Sequence, residues 1–230
     1  MSVEEKLQGF YGIGPKLAKE LAKINGMGTT EASIKARLKK PDLFPKLPEA
    51  TQADLTYKPN KHIPRAVLAK MDKQLHKDVR GIKFEIAGSY IRKKPFSHDV
   101  DLVVSTGRSN WETIWKKFTK QATIKILPPF AQGPGKLSVM MYPPGEKYPV
   151  KVDVFLTKPN EYLYALTYAI GSGMFNIRMR AVAKRRGYML NQKGLWKKVG
   201  DTYQRVPVKD ERDLFKILGI TYKIPSQRTR

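Results

Sequence analysis

The chain has no cysteine. Disulfides, thiolate metal sites and cysteine nucleophiles are therefore excluded together. Acidic side chains are scarce: 20 Asp and Glu stand against 44 Lys and Arg, a formal charge of +24. No apolar run approaches the roughly 20 residues needed to cross a bilayer, so a membrane partner is not expected. Glu4, Glu5 and Lys6 interrupt the first apolar residues, so no signal peptide is read there. Internal repeats and low-complexity segments are also missing. What the chain has is 41% hydrophobic residues over 230 positions, enough to bury a core in one domain or in two to three subdomains. The basic excess thus belongs to a folded protein and not to a disordered tail. Such a surface concentrates polyanions, and nucleic acid is the first candidate for an intracellular protein, nuclear or cytoplasmic.

Short helices with a glycine-punctuated turn are expected over the first forty residues, the second starting near Pro15. Between Pro41 and Pro64 lie Pro45, Pro48 and Pro59, which predicts an extended connector with at most a short helix. Pro64 then opens a helix to about Val79, with Val67, Leu68, Met71 and Leu75 on one stripe. Strands are expected at 83–87, 100–104, 123–127, 136–142 and 149–156, each short and bounded by turn residues. Ser109 and Glu112 have capping-box spacing for a helix from about Asn110 to Lys120, and Pro143-Pro144-Gly145 marks a hairpin turn. Helices resume with Asn160 and Ser172 as candidate caps and Gly187 as a stop. Short strands follow, then a last helix near 211–218. Trp111 and Trp196 are expected to be core residues.

The chemistry concentrates in Gly88-Ser89, nine further residues, and then Asp99-Val100-Asp101-Leu102. Alternate side chains of a strand share a face, so Asp99 and Asp101 project together while Val100 points inward. In Val150-Lys151-Val152-Asp153-Val154-Phe155-Leu156 the same period leaves Asp153 opposite Val152, Val154 and Leu156. Neighbouring strands would bring the three carboxylates together, and their repulsion calls for cations, such as two Mg²⁺ ions ~3.5–4 Å apart. A strand, a tight glycine turn and a serine at a helix start offer N–H groups and a hydroxyl to a triphosphate. Alone, an Asp-x-Asp pair is often a solvated strand end. The whole pattern resembles the nucleotidyltransferase signature.

The flanks narrow the resemblance. Gly88-Ser89-Tyr90-Ile91-Arg92 with Asp99-Val100-Asp101 looks like the palm motif of family X DNA polymerases, the DNA polymerase beta group. The segment 166–181, Leu-Thr-Tyr-Ala-Ile-Gly-Ser-Gly-Met-Phe-Asn-Ile-Arg-Met-Arg-Ala, is similar to that family's thumb motif. Lys61-His62-Ile63-Pro64-Arg65 resembles the junction between fingers and palm, and Leu218-Gly219-Ile220-Thr221-Tyr222-Lys223-Ile224-Pro225 the carboxy-terminal segment. Phe10-Tyr11-Gly12-Ile13-Gly14-Pro15-Lys16 resembles a helix-hairpin-helix, whose glycines let backbone approach DNA phosphates without reading sequence. The likeness runs from about Gly9 to the end.

That resemblance implies an α+β protein: a nucleotidyltransferase palm with a mixed or antiparallel sheet, helix-hairpin-helix fingers and an α/β thumb. The corresponding segments are 1–63, 64–157 and 158–230. It implies a template-directed DNA polymerase filling short gaps in base excision repair. Asp99 and Asp101 would ligate both Mg²⁺ ions, Mn²⁺ being able to substitute, and Asp153 the catalytic one. Ser89, Arg92, Ser97 and the His98 backbone would contact the incoming dNTP, and Tyr168 and Gly171 would lie against its sugar. Asn176 would reach the minor-groove edge of the nucleotide and Arg180 that of the template. Gly12, Gly14, Lys16, Lys151 and Arg180 would hold gapped or primed duplex DNA. Hairpin carbonyls of Gln8, Phe10 and Ile13 would hold Na⁺ or K⁺. A monomer is implied, with a repair ligase or endonuclease as the kind of protein partner. Only one hairpin is visible, so no lyase activity is expected, and the layout resembles short viral members of the family.

Some positions depart from the family. Ala169 replaces an aromatic, which weakens discrimination at the sugar and predicts low fidelity; Ile91 and His62 replace basic residues. Lys151 stands for an arginine. His98 replaces a glycine, leaving a solvated loop histidine and a proton donor as alternatives. The segment from residue 158 on carries sixteen basic and five acidic residues. Arg178, Arg180, Lys184, Arg185 and Arg186 share one expected helix there. A solvated helix end or a targeting run would also account for the last three. Two rivals remain: non-templated terminal transfer, open to ribonucleotides, and a catalytically silent DNA-binding subunit.

Overall fold

A computed structural model describes residues 1–228. Thr229 and Arg230, the end of the expected 158–230 segment, lie outside the described residues. The chain opens with α1 (Val3–Gln8), α2 (Pro15–Leu21), α3 (Glu31–Leu38) and α4 (Glu49–Tyr57). Next come β1 (Ile63–Pro64), α5 (Arg65–Asp78), β2 (Phe84–Ile86), α6 (Gly88–Ile91), β3 (Phe96–Ser97) and β4 (Val100–Ser105). The central part continues with α7 (Trp111–Gln121), β5 (Ala131–Gly133), β6 (Lys136–Met141) and β7 (Val150–Thr157). It ends in α8 (Tyr162–Ile170), α9 (Gly173–Arg185), β8 (Tyr188–Asn191), β9 (Gly194–Val199), β10 (Thr202–Arg205) and α10 (Glu211–Ile217). No described helix is long and apolar enough to cross a membrane.

A mixed five-stranded sheet of order β2-β4-β7-β6-β5 carries the centre. β4 and β7 run parallel with Asp101 opposite Asp153, and the other pairings are antiparallel. Because side chains alternate across a strand, Val100, Leu102 and Val104 share one face with Val152, Val154 and Leu156. That face packs on Leu68, Met71 and Leu75 of α5 and on Trp115 and Phe118 of α7, and Trp111 lies against the same core. The opposite face carries Val103, which α8 covers through Tyr162, Ala165, Ala169 and Ile170. The end of that face holding Asp101 and Asp153 is left partly open. A separate core of α1 to α4 centres on Leu7, Ile34 and Leu38, and another, of α8 to α10 and β9, on Ala183, Leu195, Leu214 and Leu218.

Several sequence expectations change. The proline-rich connector holds the nine-residue α4 with Pro48 as its N-cap, and a 3-10 turn at Phe44–Lys46. Proline suits both places, since a helix start leaves its N–H unpaired in any case. Residues 123–127 are not a strand: only Ile126 bridges to Met141, because Pro128 and Pro129 end the pairing, and the sheet edge is β5 instead. The cap of α7 is Asn110, whose side chain accepts the Thr113 N–H at 2.8 Å, while Ser109 donates its own N–H to Thr106 in the preceding turn. Glu161, not Asn160, precedes α8, and it makes no side-chain cap bond. Ser172 caps α9 as expected.

The carboxy-terminal segment is tied down by a buried ion pair. Arg228 is fully buried and donates to Glu211 at 2.7 and 2.6 Å, between the rings of Phe175, Phe215 and Tyr222. Glu211 also accepts the hydroxyls of Thr167 and Tyr222. Removing one partner of such a pair strands the other charge. Arg228→Met should lower the unfolding free energy by about 3 kcal/mol in urea titration, and adding Glu211→Leu should recover a large part of it. A single variant as stable as the parent would refute that account.

Candidate active site

Three aspartates define the site. Asp101 lies within β4 and Asp153 within β7, opposite one another in the parallel register, and Asp99 precedes β4. Burial pushes Asp101 up to about 7, with the charges of Asp99 and Asp153 adding to it and Lys151 and Lys136 opposing. Burial acts on Asp153 in the same upward sense, but Lys151, the Ser138 hydroxyl and Lys136 outweigh it and hold that carboxyl below the usual range. Lys151 is itself buried; its Nζ lies 2.9 Å from Asp153 Oδ1 and 3.8 Å from Asp99 Oδ2. Lys136 Nζ reaches Asp153 Oδ2 at 3.2 Å.

Among the described residues no three acidic or imidazole groups converge on one metal position as the side chains stand. An ammonium lies between two of the aspartates instead. A donor set of carboxylate oxygens that draws in a cation suits a hard divalent ion such as Mg²⁺, so the residues fit that group by their chemistry.

Beside the acids runs the turn from β2 into α6. Gly88 has φ +62°, and a Cβ there would sit 2.5 Å from Asp101 Oδ2, so any side chain would displace the carboxylate. The Ser89 and Ser97 hydroxyls meet at 2.6 Å, which brings two candidate triphosphate contacts together. Arg92 donates to the Ile170 carbonyl, just before Gly171, and so reaches α8 from the end of α6. His98 is exposed, with Nδ1 3.2 Å from the Lys61 carbonyl. Its own carbonyl accepts the Tyr11 hydroxyl at 2.6 Å.

A second group gathers on α8 and α9. Asn176 donates to the Tyr168 carbonyl at 2.8 Å, and the Arg180 guanidinium lies 5.1 Å above the Tyr168 ring. Tyr168, Asn176 and Arg180 line one small cavity of about 20 Å³ with Thr167 and Met179. Tyr168 is exposed, whereas Ala169 is buried beside Ala87 and Val103. A cleft of about 1040 Å³ extends from Lys136, Phe155 and Tyr168 to Arg108, Lys158 and Lys193. Its charged lining is basic but for Glu161.

The hairpin candidates form a third group at α1 and α2. Gly12, Gly14, Lys16 and Gln8 are exposed between and beside α1 and α2. The Phe10 carbonyl accepts the Ile13 N–H at 3.2 Å. Ser138, Lys136 and Tyr11 join the site without having been read from the sequence. For Ser138 a signal exists: period-two alternation places it on the Asp153 face, and Ser138 pairs with Asp153 in the ladder. For Tyr11 there is none, because its partner is 87 residues away.

Comparisons with known proteins agree with this geometry. A family model described as the DNA polymerase beta thumb matches residues 165–229. The chain is 30% identical over 141 residues to the repair DNA polymerase X of African swine fever virus (isolate Pig/Kenya/KEN-50/1950), covering 61% of this chain and 78% of that one. Similarity to the Bacillus subtilis (strain 168) DNA polymerase/3'-5' exonuclease PolX, 24% over 225 residues, spans 98% of this chain and 34% of that protein. The fold superposes on Leishmania infantum polymerase beta in its ternary P/T complex with a TM-score of 0.79 and 25% identity, covering 100% of this chain and 98% of that one. With Asp101 and Asp153 on adjoining strands, Asp99 just before the first of them, a matching thumb and that viral likeness, the chain belongs to family X of the DNA polymerases.

Proposed function

We propose that this polymerase fills short gaps in duplex DNA during repair, transferring a nucleotide from a dNTP to a primer 3′-hydroxyl with Asp99, Asp101 and Asp153 holding two divalent cations. The observation that carries the reading is the register of Asp101 against Asp153, with the Lys151 ammonium between the carboxylates of Asp153 and Asp99. Bound Mg²⁺, or Mn²⁺ in its place, would neutralise the phosphates and lower the pKa of the attacking hydroxyl.

The chain's own residues do the positioning that in-line displacement needs. Ser89, Ser97 and Arg92 lie where a triphosphate beside the aspartates would meet them. Asn176 would exchange its bond to the Tyr168 carbonyl for the nucleotide edge. The basic cleft and the exposed hairpin, with Gly12, Gly14 and Lys16, would hold primed or gapped duplex through phosphates. A Na⁺ or K⁺ on the hairpin carbonyls belongs to the same reading. The proposal concerns polymerisation alone and includes no lyase step.

One observation favours a second reading. Ala169 is small and buried beside Ala87 and Val103, which leaves less bulk near the sugar position than the family's aromatic and favours ribonucleotide use and low fidelity. Extension of one-nucleotide gaps, recessed ends and lone single strands, with deoxy- and ribonucleotides, separates the two. Gap-dependent deoxynucleotide addition is expected; equal extension of lone strands would favour terminal transfer.

Asp153→Asn should lower primer extension about 10³-fold or more, the loss of several kcal/mol of charge stabilisation, while gapped-DNA binding stays within about twofold. Near-parental extension would overturn the mechanism. A pH test follows from Asp101. Its folded pKa, about 7, lies above the ordinary Asp value, so metal-free stability falls as pH rises from that ordinary value through 7. Protons compete with the cation below pH 7, and half-saturating Mg²⁺ should fall about tenfold per pH unit there and level off above. The Mg²⁺-induced rise in Tm, measured from pH 5 to 8.5, reads this. Asp101→Asn should flatten the profile, and an unchanged slope in that variant would refute the assignment.

A further inference from the structure

Tyr11 is held at every polar atom. Its N–H donates to Asp54 Oδ2 at 2.9 Å, its carbonyl accepts the Thr51 hydroxyl at 2.7 Å, and its hydroxyl donates to the His98 carbonyl at 2.6 Å. Asp54 is buried and also pairs with Lys61. The Tyr11 ring is nearly buried too, and it carries two ammonium groups: Lys61 Nζ at 4.9 Å and Lys151 Nζ at 5.2 Å from its centroid. Burial, followed by the charges of Asp99, Asp54 and Asp153, raises its pKa, so the hydroxyl stays a donor across the working pH range.

Two of these contacts reach the aspartates from the hairpin side. The His98 carbonyl shares a peptide plane with the Asp99 N–H, so fixing that carbonyl fixes the backbone from which the Asp99 side chain projects. The same loop is gripped from β1, where Ile63 pairs with Ser97, and by the Lys61 carbonyl beside His98 Nδ1. Lys151, the other tenant of the Tyr11 ring, lies 2.9 Å from Asp153. The next residue along the chain is Gly12, at the exposed turn of the hairpin.

We propose that Tyr11 is a positioning residue that couples the DNA-holding hairpin to the catalytic acids, its hydroxyl setting the Ser97–Asp101 loop and its ring seating Lys151. The proposal rests on the reading of the aspartates and the hairpin given above. A shift of the hairpin on seating duplex is transmitted to Asp99 through one hydrogen bond and to Asp153 through one ammonium group.

Tyr11→Phe removes the hydroxyl and keeps the ring; Tyr11→Leu removes both. Three readouts apply to the full chain: hydrogen–deuterium exchange of residues 97–101 in metal-free, DNA-free protein, kcat and KM for gap filling, and Kd for gapped DNA. In Tyr11→Phe, exchange over 97–101 should quicken about five- to tenfold and kcat fall about tenfold, with Kd within about twofold. Tyr11→Leu should lose more kcat and still bind DNA. Unchanged exchange and kcat in Tyr11→Phe would overturn the proposal, as would a loss seen only in Kd, which would make Tyr11 part of the grip alone. Should Tyr11→Leu fail to fold, the phenylalanine variant decides. Extension retained by Asp153→Asn would sink the aspartate reading instead, while the exchange result would still report the loop contact.

Discussion

Carboxylates that repel one another cannot choose their own places, and the rest of this fold exists to hold three of them. Asp101 and Asp153 face each other across a parallel ladder whose register is set by the opposite side of the sheet. There Val100, Leu102 and Val104 interlock with Val152, Val154 and Leu156 under α5 and α7. A slip of either strand by one residue would turn its three apolar side chains outward and bury its aspartate, so apolar packing on one face enforces charge crowding on the other. Gly88 completes the constraint by keeping clear the space that the Asp101 carboxylate occupies.

The charge pattern follows from that crowding. With 44 basic residues the chain looks uniformly cationic, yet its centre is an acidic island ringed by lysines. Lys136 and Lys151 serve as the local counter-ions of Asp153, while Asp101, more shielded from both, is left with its proton affinity raised. Farther out, Arg108, Lys158 and Lys193 line the cleft. The arrangement divides labour by distance: outlying cations suit a polyanion, and near ones balance the acids.

What could be read from the sequence was whatever depends on short spacing. Strand period exposed the aspartates, Ser172 announced its helix, and Gly88 before Ser89 marked the tight turn. Local ambiguity spoiled neighbouring assignments: Ser109 and Asn110 are both good caps, and only the turn to Thr106 decides between them. Prolines misled in both directions, since Pro48 starts a helix while Pro128 and Pro129 stop a strand that the β-branched residues before them suggest. β5 is Ala-Gln-Gly, without strand propensity, and exists because β6 offers an edge. Arg228 and Tyr11 were invisible for a different reason. An arginine near a basic terminus and a tyrosine in a hairpin acquire meaning only from partners that the folded chain brings to them.

Lys151 shows why the identity of the near cation matters. A guanidinium at this position would grip a carboxylate through two parallel bonds and resist release. An ammonium makes point contacts: one short one to Asp153 and a longer one to Asp99. Its stem is buried, so it cannot retreat into solvent. The Tyr11 ring, 5.2 Å from Nζ, lies against the same ammonium, and a desolvated ammonium over an aromatic face gains about 2 kcal/mol. The lysine can therefore surrender its carboxylate without becoming an unpaired buried charge. A tyrosine on the hairpin and a lysine on the central strand thus balance the charge of Asp153 without leaving the lysine's own charge unpartnered.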